Sequence, residues 1–215
     1  MGELIGSGQP GQAGVDQRGG ARVEVAYSSL WNGEEEVAIA AQYSAELRGD
    51  DPETIWRLKL VNNTRDLRVV EVVFPHFEGI WLGKSHRDDV IVYPHHAGER
   101  TVNPAEEYAS QRYLEFGRAG SVKDPTGYCY REINYCGLAS MMWLDYYEGG
   151  NSEWTMDHAH EGAGHAHGEA GYGLYLASYD HDFLLTGVRA ETGGPADPWM
   201  GFAFRKYLEI GPGRS

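Results

Sequence analysis

TIWRLKLVNNT, residues 54–64, sets Trp56, Leu58 and Leu60 at alternate positions with Arg57 and Lys59 between them. Successive side chains of a strand point to opposite faces, so this spacing predicts a half-buried β-strand that Asn62 and Asn63 turn. The same two-residue period runs through RVEVAY (22–27) and VAIAAQYSAEL (37–47), joined by the turn-like WNGEEE (31–36). LRVVEVVFP (67–75) is almost continuous valine, which predicts a more central strand covered on both faces and ended at Pro75. A meander is the simplest topology for these strands.

Further along, short strands are expected in VIVYP (90–94), QRYLEFGR (111–118), ASMMWLDYY (139–147), GYGLYLASYD (171–180), FLLTGVRAE (183–191) and GFAFRKYLEI (201–210). NPAEEYASQRYLEF (103–116) has a helix start at Asn103 and Pro104 but room for only a turn or two before the next strand. About ten strands with few helices favour antiparallel pairing, and that many strands must close or split into two packed layers. The expected fold is all-β, a large antiparallel two-layer β-sandwich.

Composition agrees. The chain has 215 residues, 12% of them aromatic, with 29 glycines, a balance that suits strands joined by tight turns. A formal net charge of −14, with no Lys/Arg cluster to offset it, argues against nucleic acid as a partner. No apolar run reaches the roughly 18 residues of a membrane span, so no membrane partner is expected. The first 20 residues lack the basic start and apolar centre of a secretion signal, which leaves the compartment open. The expected organisation is a leader or weakly held first strand at 1–20 and a single sandwich domain at 21–211. A His/Gly-rich insertion occupies 148–171, and 212–215 begin a linker. Cys129 and Cys136 could face each other across a hairpin, as a bridge or as two reduced thiols.

Taken in order, WRLKLVNNT (56–64), VVEVVFPHFEGIWLG (69–83), DDVIVYPHHAGE (88–99), YCGLASMMWLDYY (135–147), GYGLYLASYDHD (171–182) and GFAFRKYLEIGPG (201–213) resemble a known pattern. They are similar to the N-terminal galactose-mutarotase-like sandwich (supersandwich) of bacterial glycoside hydrolases, which precedes a (β/α)8 catalytic barrel. The resemblance implies that residues 140–146 and 173–179 form neighbouring strands. It also implies a non-catalytic accessory domain whose partners are carbohydrate and a C-terminal catalytic barrel. In that family the catalytic carboxylates lie on the barrel, so no catalytic residue is expected in this chain.

Four residues are the candidates for a sugar-facing surface: Trp81, Trp143, Asp145 and Tyr146. Sugars stack their C–H faces on aromatic rings while carboxylates accept hydroxyl protons. Core packing is the competing explanation, above all for Trp143. MDHAHEGAGHAHGEAG (156–171) carries His158, His160, His165 and His167 as two H-x-H pairs about a Gly-rich turn. Paired imidazoles on one face suit zinc or another transition metal, but the segment has no hydrophobic anchors and reads first as a solvated loop with no bound cofactor. His76, His95 and His96, with Glu78 and Glu99, offer the His and carboxylate that a stand-alone mutarotase or epimerase needs. A metal-dependent hydrolase using the His-rich loop and a simple carbohydrate-binding module complete the alternatives.

Overall fold

The computed structural model describes residues 14–16, 20–48, 52–83, 85–94, 98–109, 121–123, 129–134, 142–149, 173–180, 184–193 and 199–215, with the backbone alone at 14–16, 20, 48, 109, 121–123 and 129–134. The described residues are dominated by strands, each pairing whose register is described is antiparallel, and the fold is an all-β sandwich. By internal contacts the chain divides into two compact units, Met1–Val72 with Leu208–Ser215, and Val73–Tyr207.

The first unit is built on a four-stranded sheet in the order β1 (Gly14–Asp16), β2 (Gly20–Tyr27), β5 (Ile39–Arg48), β6 (Thr54–Asn62). Register opposes Val23 to Ala45 and Val25 to Tyr43 on one side of β5, and Trp56 to Ala45 and Leu58 to Tyr43 on the other. The apolar residues therefore share one face, as the alternation in TIWRLKL requires. The opposite face carries Arg57 bonded to Glu46 at 3.1 Å and Gln42 bonded to Glu24. A short hairpin of β3 (Leu30–Trp31) and β4 (Glu36–Val37) turns at Asn32, whose Oδ1 accepts from the amides of Glu34 and Glu35 at 2.9 and 2.8 Å.

Asn62, at the end of β6, is fully buried because its whole polar inventory is matched. Its Nδ2 donates to the carbonyls of Leu67 and Ile210 at 2.8 and 3.0 Å, and its Oδ1 accepts from the Thr64 hydroxyl at 2.7 Å. Its backbone closes two more bonds, to Arg214 O and from Gly213 N. One asparagine thus ties the β6 turn to residues 210–214.

The second unit is the sandwich proper. A five-stranded sheet runs β10 (Ser121–Lys123), β11 (Cys129–Asn134), β14 (Leu185–Thr192), β15 (Met200–Ile210), β7 (Val69–Ile80). A four-stranded sheet runs β13 (Gly173–Ala177), β12 (Trp143–Glu148), β8 (Asp89–Tyr93), β9 (Glu99–Val102). Between them lies one apolar cluster: Val188, Ala190, Met200, Phe202 and Phe204 from the first sheet meet Ile91, Tyr93, Met142, Leu144 and Tyr146 from the second. The single α-helix of the described residues, α1 (Pro104–Ala109), adds Ala105 and Tyr108 to this core. It starts where the sequence predicts, with Asn103 donating through Nδ2 to Glu106 at 2.6 Å.

The expected neighbours do pair: Trp143 opposes Ala177, Asp145 opposes Tyr175 and Tyr147 opposes Gly173. Two expectations are corrected. The valine-rich strand is not central but lies at the edge of the five-stranded sheet, with Val70 and Val73 exposed. Nor does Pro75 end it, since β7 continues to Ile80; an edge strand tolerates a residue that cannot donate to the ladder. The meander holds from β5 to β6, whereas β7 leaves the preceding strands to pair with β15.

Candidate functional site

Alternation along β12 sorts its side chains into two roles. Met142, Leu144 and Tyr146 enter the core, while Trp143 and Asp145 stand on the outer face and remain half-buried. Tyr146 is therefore corrected out of the sugar-facing set: it is buried against Phe202, with ring centroids 5.1 Å apart, and its hydroxyl donates to Asp89. Burial pushes the Tyr146 hydroxyl up, and the hydrogen bond to Asp89 adds to the shift. Burial also raises Asp89, to about 6, with Asp88 and Glu148 nearby adding to the effect and Tyr146 opposing it.

On the outer face the next strand supplies what the sequence reading missed. Tyr175, on β13, is 49% exposed and lies nearly parallel to Trp143, with centroids 6.3 Å apart and planes 25° from each other. That separation means offset rings, not superposed ones. Tyr175 sits directly across from Asp145, and burial, Tyr179 and Asp145 together raise its hydroxyl. Val92 opposes Asp145 on the other side, and Arg100 opposes Val92 one strand further on. Two broad rings, a carboxylate and a guanidinium position thus share one sheet face. The signal for Tyr175 was available, because residues two apart in GLYLA alternate just as those in β12 do.

Trp81 directly follows β7 and is 50% exposed. Its ring meets His86 edge-on at 5.7 Å. It follows the edge strand of the other sheet and lies off β12, which carries Trp143 and Asp145. His158, His160, His165 and His167 lie outside the described residues, as do His95, His96 and Cys136. Cys129 opens β11, opposite Thr192.

A second polar cluster forms around His76. Its Nε2 lies 3.2 Å from Glu191 Oε2 and 3.3 Å from Glu78 Oε1, and Arg189 is ion-paired with Glu191. Of the carboxylates grouped with the histidines in the sequence, Glu78 lies beside His76, and Glu99 is on β9 in the other sheet. The cluster depends on β15, which runs between β7 and β14. Gly201 opposes Glu191, and a Cβ at Gly201 would lie 2.8 Å from Phe77 O and 3.4 Å from Glu78 Cα. With no side chain there, His76 and Glu78 reach across to a carboxylate two strands away. Glu191 is 1% exposed, and its hydrogen bond raises the His76 imidazole against the opposing effect of burial.

No protein-family model, curated protein or solved structure matches this chain. Function is therefore read from the residues themselves.

Proposed function

We propose that this chain is a non-catalytic accessory β-sandwich domain of a glycoside hydrolase, packing on a catalytic barrel and contacting carbohydrate through the outer face of the β13–β12–β8–β9 sheet. The observation that carries this reading is the offset pair Trp143 and Tyr175 beside Asp145. A pyranose presents an apolar C–H face and a rim of hydroxyls. Two near-parallel rings supply the first contact, and a carboxylate supplies an acceptor for the second. The ordered landmarks of the sequence resemblance, including the β12–β13 neighbours that pair as it implies, add support for the accessory role.

The purified chain is expected to fold, to bind neutral oligosaccharides on a glycan array, and to leave chromogenic glycosides unhydrolysed. Turnover by homogeneous, correctly sized protein would overturn the accessory assignment, and an array with no signal would remove the carbohydrate contact.

One observation favours a second reading, a mutarotase or epimerase, because His76 does stand beside two carboxylates. Its Nε2 is engaged by both of them, which leaves that nitrogen poorly placed to take a proton from a sugar. Polarimetry with fresh α-glucose or α-galactose separates the readings: rates equal to buffer exclude mutarotation of those sugars.

A further inference from the structure

The His76 cluster has the donor set and spacing of a metal site. A histidine nitrogen and two carboxylate oxygens are the ligands that zinc and its neighbours accept. In a tetrahedral site with bonds of about 2.0–2.1 Å, neighbouring ligand atoms stand about 3.3–3.4 Å apart. His76 Nε2 is 3.3 Å from Glu78 Oε1 and 3.2 Å from Glu191 Oε2, and all three ligand atoms lie within 4.8 Å of one another. Such spacing brings ligand atoms to their bound separations with little rearrangement. It also exceeds the usual length of a charge-assisted hydrogen bond.

The surroundings fit as well. Glu191 is anchored and buried, whereas the side chains of His76 and Glu78 are 32% and 58% exposed, so an ion has an open approach from solvent. Arg189 pairs with Glu191 Oε1, the oxygen opposite the one that faces His76. A carboxylate held in this way binds through one oxygen, with the guanidinium fixing its orientation from outside the coordination shell. Two carboxylates, a neutral imidazole and one guanidinium sum to −1, which a divalent ion changes to +1. Gly201, directly across from Glu191 on β15, places no side chain of its own beside the cluster.

We propose that His76, Glu78 and Glu191 bind one divalent transition-metal ion of the zinc class, with three protein ligands and a fourth position open to water. This site is separate in sequence and donor set from the His-rich segment at 156–171, and it does not rest on the carbohydrate reading.

The test uses the full chain in which His158, His160, His165 and His167 are all replaced by alanine, so that the His-rich segment contributes no zinc. Chelator-treated protein of this background is titrated calorimetrically with zinc, and with cobalt(II) while its visible absorption is followed. One equivalent of zinc, a cobalt spectrum of tetrahedral or five-coordinate type and a higher Tm in zinc are expected. Adding His76→Gln abolishes all three. Glu78→Gln, at an exposed position that leaves the fold intact, weakens zinc binding at least tenfold. No zinc uptake by the four-alanine background, or uptake unchanged by His76→Gln and Glu78→Gln, would overturn the assignment. Calcium binding as tight as zinc would also overturn it, because a histidine nitrogen selects against a hard cation.

Discussion

Replacing Asp89 by asparagine removes the one buried carboxyl whose ionisation the sandwich core resists most clearly. Asp89 is 1% exposed and accepts from Tyr146 through Oδ2, while Asp88 and Glu148 add negative charge nearby. Burial lifts its pKa from 3.8 to about 6. A raised folded-state value means the native protein holds this proton after the unfolded chain has released it. The associated stability is complete below pH 3.8 and is lost as pH rises through about 6. At about 1.4 kcal/mol per unit, the loss is up to about 3 kcal/mol.

An asparagine side chain cannot ionise, so the difference between wild type and Asp89→Asn isolates this group from all others that titrate. Urea unfolding at intervals from pH 3.5 to 7 measures it. The wild type should lose up to about 3 kcal/mol relative to the variant across that range. The offset at any single pH includes the fit of the new amide, whereas its slope does not. A difference that stays flat, or that grows in favour of the wild type as pH rises, would refute the reasoning. Tyr146→Phe is the companion: it deprives the buried carboxylate of its donor, and destabilisation should be larger at pH 7 than at pH 4, where Asp89 is protonated.

Asn62→Ala should cost about 2–4 kcal/mol in chemical denaturation, because it removes the buried bond to the Ile210 carbonyl together with those to Leu67 O and Thr64. A loss below about 0.5 kcal/mol would show that water replaces the side chain. Gly201→Ala should destabilise by about 1–3 kcal/mol through overpacking, since its Cβ would press on Phe77 O at 2.8 Å and on the Trp199 ring at 3.1 Å. An unchanged Tm would mean that β7 shifts freely away from β15. Tyr175→Ala, at a half-exposed outer position, should leave stability within about 1 kcal/mol of wild type while weakening oligosaccharide binding. Equal binding would remove Tyr175 from the contact surface.

The strands were legible wherever one face of a sheet is buried and the other is wet, because a two-residue period then records the environment directly. Trp143, Leu144, Asp145 and Tyr146 illustrate both the power and the limit of that signal. Their alternation separates a core face from an outer face, yet Tyr146 was grouped by chemistry with Trp143 and Asp145 although its position places it with Leu144. In LRVVEVVFP, β-branched residues mark strand propensity and not burial, so an exposed edge strand reads like a central one. Glu191 was hidden for a different reason. Its partners His76 and Glu78 are more than 100 residues away in sequence, and they meet it across β15, the strand between β7 and β14. No local pattern encodes that convergence.

The most direct measurement of the proposed role is calorimetric titration of the intact chain and its Trp143→Ala variant with whichever neutral oligosaccharide gives the strongest array signal. Saturable binding by the wild type, weakened at least tenfold in a variant that still unfolds cooperatively, is the predicted result. Equal affinity in the two proteins, or no heat from any sugar bound on the array, would contradict it.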